Sequence, residues 1–207
     1  MSRRRPPLVA LLPGLAPFLW ACVGAPAPGG VSVDLDAPIL TATVRLDLIE
    51  RGYYTLDARG VCRDPSSVVR VDVFVGVRRE ASVDCVDGTW RYVRDGVLLE
   101  DAPYVVYGFD AAGNEARRVV PGAADLVARA GPAGVTVSGR SGPETTEVRV
   151  ERADGSVLGS RGLSSGPSGA AWTITVPEPG GTSPDAVVLV LSDDAGEGTR
   201  VALPVTR

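Results

Sequence analysis

The segment Val69-Arg70-Val71-Asp72-Val73-Phe74-Val75 places a valine at every second position. That spacing puts alternate side chains on one face of an extended strand, one face buried and the other wet. Segments of this kind recur along the chain, cut at short intervals by Gly, Pro and Asp. With 25 glycines and 17 prolines in 207 residues, long helices have no room between breakers. No stretch carries a convincing amphipathic helical period. The first half offers strands at 43–50, 53–62, 68–76, 80–86, 89–94, 104–110 and 116–120. The second offers 124–129, 133–139, 146–153, 156–161, 171–176, 186–193 and 199–205. The chain reads as all-β.

The two halves look like copies of one unit. Val69-Arg70-Val71 corresponds to Val148-Arg149-Val150, Trp90 to Trp172, and Asp110-Ala111-Ala112-Gly113-Asn114 to Asp193-Asp194-Ala195-Gly196-Glu197. The offsets run from 79 to 83 residues, enough for seven short strands. Two packed β-sandwiches fit that spacing, with a boundary near Pro121-Gly122. Trp90 and Tyr92 share one face of their strand, as do Trp172, Ile174 and Val176, so each Trp is expected to plug an inter-sheet core. Asp110-Ala111-Ala112-Gly113 suits a hairpin in which Gly113 takes positive φ and the Asp side chain caps the turn.

At these residues a family comes into view. Asp87-Gly88-Thr89-Trp90-Arg91-Tyr92, then Tyr104 to Asp110, then Ala111-Ala112-Gly113-Asn114 resemble bacterial Ig-like domains, extracytoplasmic β-sandwich modules that often occur in tandem. Asp101-Ala102-Pro103-Tyr104 resembles a tyrosine corner, with Val106 where antibody domains carry their second cysteine. Val187 replaces that Tyr in the second half. The resemblance implies a fold and carries no activity. It gives two tandem Ig-like domains, 40–121 and 122–207, after a signal peptide (1–21) and a tether with lead-in (22–39).

The N-terminus supplies an address. Arg3, Arg4 and Arg5 precede a thirteen-residue apolar run from Leu8 to Trp20, the layout of a secretory signal. Such a run is too short for a ~30 Å hydrocarbon core, which takes about twenty helical residues. Leu19-Trp20-Ala21-Cys22 resembles the lipobox of bacterial lipoproteins, which implies cleavage before Cys22 and lipidation of its thiol. Val23 follows, where Asp would favour the inner membrane, so the resemblance points to the outer membrane in a two-membrane cell. Val23-Gly24-Ala25-Pro26-Ala27-Pro28-Gly29-Gly30 then reads as a short tether. The implied location is the cell envelope, with the membrane as partner through the lipid on Cys22.

With Cys22 assigned, Cys62 and Cys85 remain as an even pair in a chain bound for an oxidising compartment. Strand 53–62 ends at one pole, the next strand runs away, and strand 80–86 returns, so a disulfide is within reach. Two free buried thiols are the alternative. Loss of the three leader arginines leaves 18 basic against 25 acidic residues, a net charge of −7. That acidic surface without basic clusters argues against nucleic acid.

The chain contains no His and no Lys. That excludes a Ser-His-Asp triad, an imidazole metal site, a Ser-Lys dyad and a Schiff base. Gly162-Leu163-Ser164-Ser165-Gly166 matches the nucleophile-elbow pattern, yet it lies in a Gly/Ser-rich turn without the strand and helix that pattern requires. Only a carboxylate pair remains for acid–base work, and Asp84, Asp87, Glu100 and Asp101 mostly flank turns. No catalytic residue and no cofactor are expected.

Two binding questions stay open at this level. Asp110 with Asn114 and Asp193 with Asp194 offer hard oxygens of the kind calcium takes. Turn capping explains them without a metal, and one short turn cannot assemble six to eight oxygens, so no metal site is predicted. If Val71, Val73 and Val75 face the core, then Phe74, Tyr107 and Phe109 face outward on neighbouring strands. They form a candidate patch for a glycan or an envelope protein, with coverage by Arg stems as the alternative. The sequence therefore describes a lipid-anchored, non-catalytic spacer or binding module. Glycan binding or adhesion through the first domain is the runner-up, and a carboxylate hydrolase a distant third.

Overall fold

The computed structural model describes residues 34–50, 52–65, 67–99, 102–164, 169–177, 184–196 and 198–207. The signal segment, the lipobox with Cys22 and the tether lie outside the described residues, as do Glu100, Asp101, Ser165 and Gly166. Fifteen strands are described and no helix. The first set is β1 (Ile39–Leu40), β2 (Thr43–Glu50), β3 (Tyr53–Arg63), β4 (Val68–Val75), β5 (Arg78–Val83), β6 (Thr89–Leu98), β7 (Tyr104–Asp110) and β8 (Glu115–Val120). The second is β9 (Ala123–Gly131), β10 (Gly134–Ser141), β11 (Glu147–Glu151), β12 (Val157–Gly162), β13 (Ala171–Val176), β14 (Ala186–Ser192) and β15 (Gly198–Thr206).

One pairing scheme occurs twice. In the first set β2 pairs β3 and β3 pairs β6, while β5, β4, β7 and β8 form a separate four-stranded sheet in that order. In the second set β9 pairs β10 and β10 pairs β13, while β12, β11, β14 and β15 follow in order. Adding seven to each strand number from β2 to β8 converts one scheme into the other, all antiparallel.

The period-two pattern decides which faces are buried. In β13, Trp172, Ile174 and Val176 are buried and the intervening Ala171, Thr173 and Thr175 are exposed. Val71, Val73, Val75 and Val106 from the four-stranded sheet share a buried cluster with Val44, Leu46, Leu56, Ala58 and Trp90. Each such side chain withdrawn from water contributes about 1.5–3 kcal/mol before ordering entropy is charged against it. The indole Nε1 of Trp90 donates to the Thr41 carbonyl at 3.1 Å, so the plug is satisfied at its polar end. Tyr104 is buried and Val106 is fully enclosed beneath it on β7.

The two sets are joined through β15. Thr199, Arg200 and Val201 pair in parallel with Val44, Arg45 and Leu46 of β2. A continuous sheet therefore runs β6-β3-β2-β15-β14-β11-β12. Two residues before its end β15 changes partner, and Val205 and Thr206 pair with Ala128 and Arg129 of β9. Pro204, which has no N–H to donate, stands between the two pairings. Pro121 and Gly122 connect the sets. The buried Thr199 hydroxyl donates to the Pro121 carbonyl at 2.5 Å. The Gly122 carbonyl accepts the Gly142 N–H at 2.8 Å, and Arg118 of β8 forms an ion pair with Asp193. Asp34–Arg207 form one compact unit.

The expected strand positions agree with those observed, with differences at the ends. β6 continues to Leu98 rather than stopping at 94, because a register shift between Tyr54 and Leu56 and positive φ at Gly96 absorb the mismatch with β3. β5 spans Arg78–Val83 instead of 80–86. Cys85 leaves the ladder and bonds to Cys62, with the two Cα atoms 6.1 Å apart. β1 was not expected. Its two residues sit within and just after the predicted lead-in and pair with Arg63 and Cys62.

Candidate functional site

Four segments meet at one end of the first sheet pair. The lead-in from Asp34 to Leu40, the β3–β4 loop, the segment around Cys85 to Gly88 and the β7–β8 hairpin are tied by backbone bonds there. Cys62 N–H donates to the Gly88 carbonyl at 3.0 Å and Ala111 N–H to the Ser67 carbonyl at 3.2 Å. A cavity of about 720 Å³ opens between Asp36, Ile39, Cys62, Asp64, Val68 and Asp87, with the disulfide in its wall.

Beside it lies a cluster of carboxylates that no sequence spacing announces. Asp34, Asp64 and Asp110 each bring a carboxylate oxygen to within 4.8 Å of the other two. Asp110 ends β7 and is 3 % exposed. Its carboxylate accepts the Asn114 N–H and the Asn114 side-chain amide, both at 2.7 Å, and Gly113 takes positive φ as the hairpin requires. Burial pushes the Asp110 carboxyl upward, yet the bonds from the Asn114 side chain and from the N–H groups of Asn114, Gly113 and Ala112 outweigh it. They hold the carboxyl below its usual range. The same Asn114 amide donates to the Asp34 carbonyl at 3.1 Å. One oxygen of Asp34, Oδ1, accepts the Asp36 N–H at 3.0 Å. The other, Oδ2, is closed off from solvent with no hydrogen-bond partner.

The aromatic residues singled out in the sequence share the outer face of the four-stranded sheet. Phe74 and Tyr107 form an edge-to-face pair with ring centroids 5.4 Å apart. Phe109 lies beneath the Arg70 guanidinium, 4.4 Å from the ring centre, a cation–π contact. Arg117 Nε reaches the Tyr107 hydroxyl at 3.3 Å. The nearly buried Asp72 carboxylate accepts Ser82 Oγ at 2.5 Å and lies 3.3 Å from Arg70. All three rings are half-buried rather than open. Arg70 covers Phe109 and Arg117 reaches the edge of Tyr107, while Phe74 packs against Tyr107.

The other acidic candidates are divided. Asp193 is ion-paired with Arg118 and its Oδ1 accepts the Ala195 N–H at 2.9 Å, while Asp194 is exposed. Asp84 and Asp87 are exposed. Among the described residues, no helix is long and apolar enough to cross a membrane.

These features define an all-β protein of paired sheets built on a repeated Ig-like strand order. No family model and no curated protein matches the chain. Among solved structures it is similar to the fibronectin(III)-like modules of CbhA from Clostridium thermocellum. Identity there is 15 %, over 80 % of this chain and 93 % of that one, with a TM-score of 0.29. It is also similar to dimeric latent PorU from Porphyromonas gingivalis at 11 % identity, over 88 % of this chain, with a TM-score of 0.29. The match spans 21 % of the PorU chain. Overlap this slight carries no functional argument, and the strand pairing alone defines the class.

Proposed function

We propose that this chain is a lipid-anchored, extracytoplasmic module without catalytic activity, two Ig-like domains that act as a spacer or binding unit on the cell envelope. The observation that carries the spacer role is the parallel pairing of β2 with β15. A flexible hinge between two sandwiches would leave each free to swing, whereas a shared sheet fixes their mutual attitude and holds any bound partner at a set height. The disulfide between Cys62 and Cys85 suits an oxidising compartment. The missing His and Lys support a non-catalytic role.

Membrane fractionation tests the anchor. The native chain is expected with the membranes, carrying a diacylated Cys22, and Cys22→Ser is expected in the soluble extracytoplasmic fraction. Retention of Cys22→Ser on membranes overturns the anchor.

A second reading rests on the shared outer face of Phe74, Tyr107 and Phe109, as a surface for an envelope glycan or protein. Triple alanine substitution is expected to abolish binding of the purified chain to envelope fractions. Undiminished binding removes this reading and leaves the spacer role untouched.

A further inference from the structure

We infer that the end of the first sandwich around the disulfide-walled cavity docks on the surface of a zwitterionic phospholipid bilayer. The inference rests on the lipid-anchor reading above and adds which face meets the membrane. Three large apolar side chains stand open at this end: Leu35 is 80 % exposed, Ile39 67 % and Val86 61 %. Ile39 lines the cavity, Leu35 precedes the lining residue Asp36, and Val86 stands between Cys85 and Asp87 of the wall. A lone exposed apolar side chain is ordinary, whereas a group at one tip marks a contact surface.

Two observations name the lipid surface as the partner. The first is where the chain enters. Asp34 lies at this end, its carbonyl accepting the Asn114 amide. Only residues 22–33 separate it from Cys22, and twelve residues span at most about 40 Å however they run. Val77 and Leu98 are also exposed, but they stand at the far ends of β4 and β6, a strand length further from Asp34. Attachment makes the contact intramolecular, so a few apolar side chains suffice to hold it. The second observation is charge. A zwitterionic headgroup offers a phosphate and, outside it, an ammonium. Arg63 lines the cavity with its side chain against Gly88 and has no carboxylate partner among the described residues. Such a guanidinium takes a phosphate in fork geometry. The exposed carboxylates of Asp36 and Asp87 on the same rim suit the ammonium.

The test uses the full lipidated chain in phosphatidylethanolamine–phosphatidylcholine vesicles, with part of the acyl chains brominated to quench indole emission. Trp90 and Trp172 are buried, so an indole added at an exposed position is the reporter. Leu35→Trp and Val86→Trp are each expected to lose emission on brominated vesicles, and Val77→Trp to keep it. In the Val86→Trp background, Arg63→Gln is expected to reduce the quenching, and so is replacing phosphatidylethanolamine with anionic phosphatidylglycerol. Mass spectrometry of the N-terminal peptide runs alongside. Absence of lipid on Cys22 overturns the anchor and this contact with it. On a lipidated chain, no quenching at Leu35→Trp and Val86→Trp overturns the contact alone, as does equal quenching at Val77→Trp. Quenching undiminished by both Arg63→Gln and phosphatidylglycerol overturns the zwitterionic headgroup as partner.

Discussion

A Cβ added to Gly60 would lie 1.9 Å from the Thr41 carbonyl oxygen and 2.8 Å from Trp90 Nε1. The glycine is what lets the chain before β2 pass close enough for Thr41 to accept the Trp90 indole. Gly60→Ala is expected to destabilise the protein by about 3 kcal/mol or more, through overpacking and loss of that bond. Gly162→Ala, where a Cβ meets nothing within 4 Å, is expected to stay within about 0.5 kcal/mol. Denaturant midpoints distinguish the two. Asp154 offers a second test at this scale. The Ser156 N–H, then its hydroxyl, hold the Asp154 carboxyl below its ordinary value of 3.8. A carboxylate with a depressed native pKa stabilises fully above its unfolded pKa, and that contribution is lost as pH falls through the native value. Carboxyl NMR titration is expected to place the Asp154 midpoint below 3.8, and Ser156→Ala to move it back up.

The disulfide acts between elements, pinning the end of β3 to the segment that follows β5. It closes a 23-residue separation, and the chain-entropy estimate for its removal is about 3 kcal/mol. Cys62→Ser with Cys85→Ser is expected to lower the unfolding free energy by that amount while keeping the strand content seen by circular dichroism. The elements themselves were largely legible in the sequence, because alternation and turn residues are local signals. β2, β7 and β13 begin and end where the pattern places them. β1 escaped, since two residues carry no period, and the extent of β6 escaped because its bulge depends on its partner strand. The aromatic face was legible as register, and its arginine covers as the alternative to an open patch. The carboxylate cluster was not legible. Asp34, Asp64 and Asp110 lie far apart along the chain, and only the closing of the sandwich makes them neighbours.

On the scale of the whole molecule, the junction through β15 couples both strand sets into one sheet. A single cooperative melting transition is expected, with amides of Val44–Leu46 and Thr199–Val201 among the slowest to exchange. Two separated transitions would contradict it. Arg118→Ala, which removes the ion pair to the partly enclosed Asp193, is expected to lower the midpoint by a few degrees without splitting the curve. The parallel pairing also fixes an order of events as the chain is made. A chain delivered N-terminus first presents Val44, Arg45 and Leu46 about 155 residues before their partners Thr199, Arg200 and Val201 arrive. Until then the first sandwich has an open flank with unpaired backbone donors and acceptors, ready to recruit any passing strand. Completion of this sheet waits on β15, so a chain that stops short of it keeps the flank of β2 open.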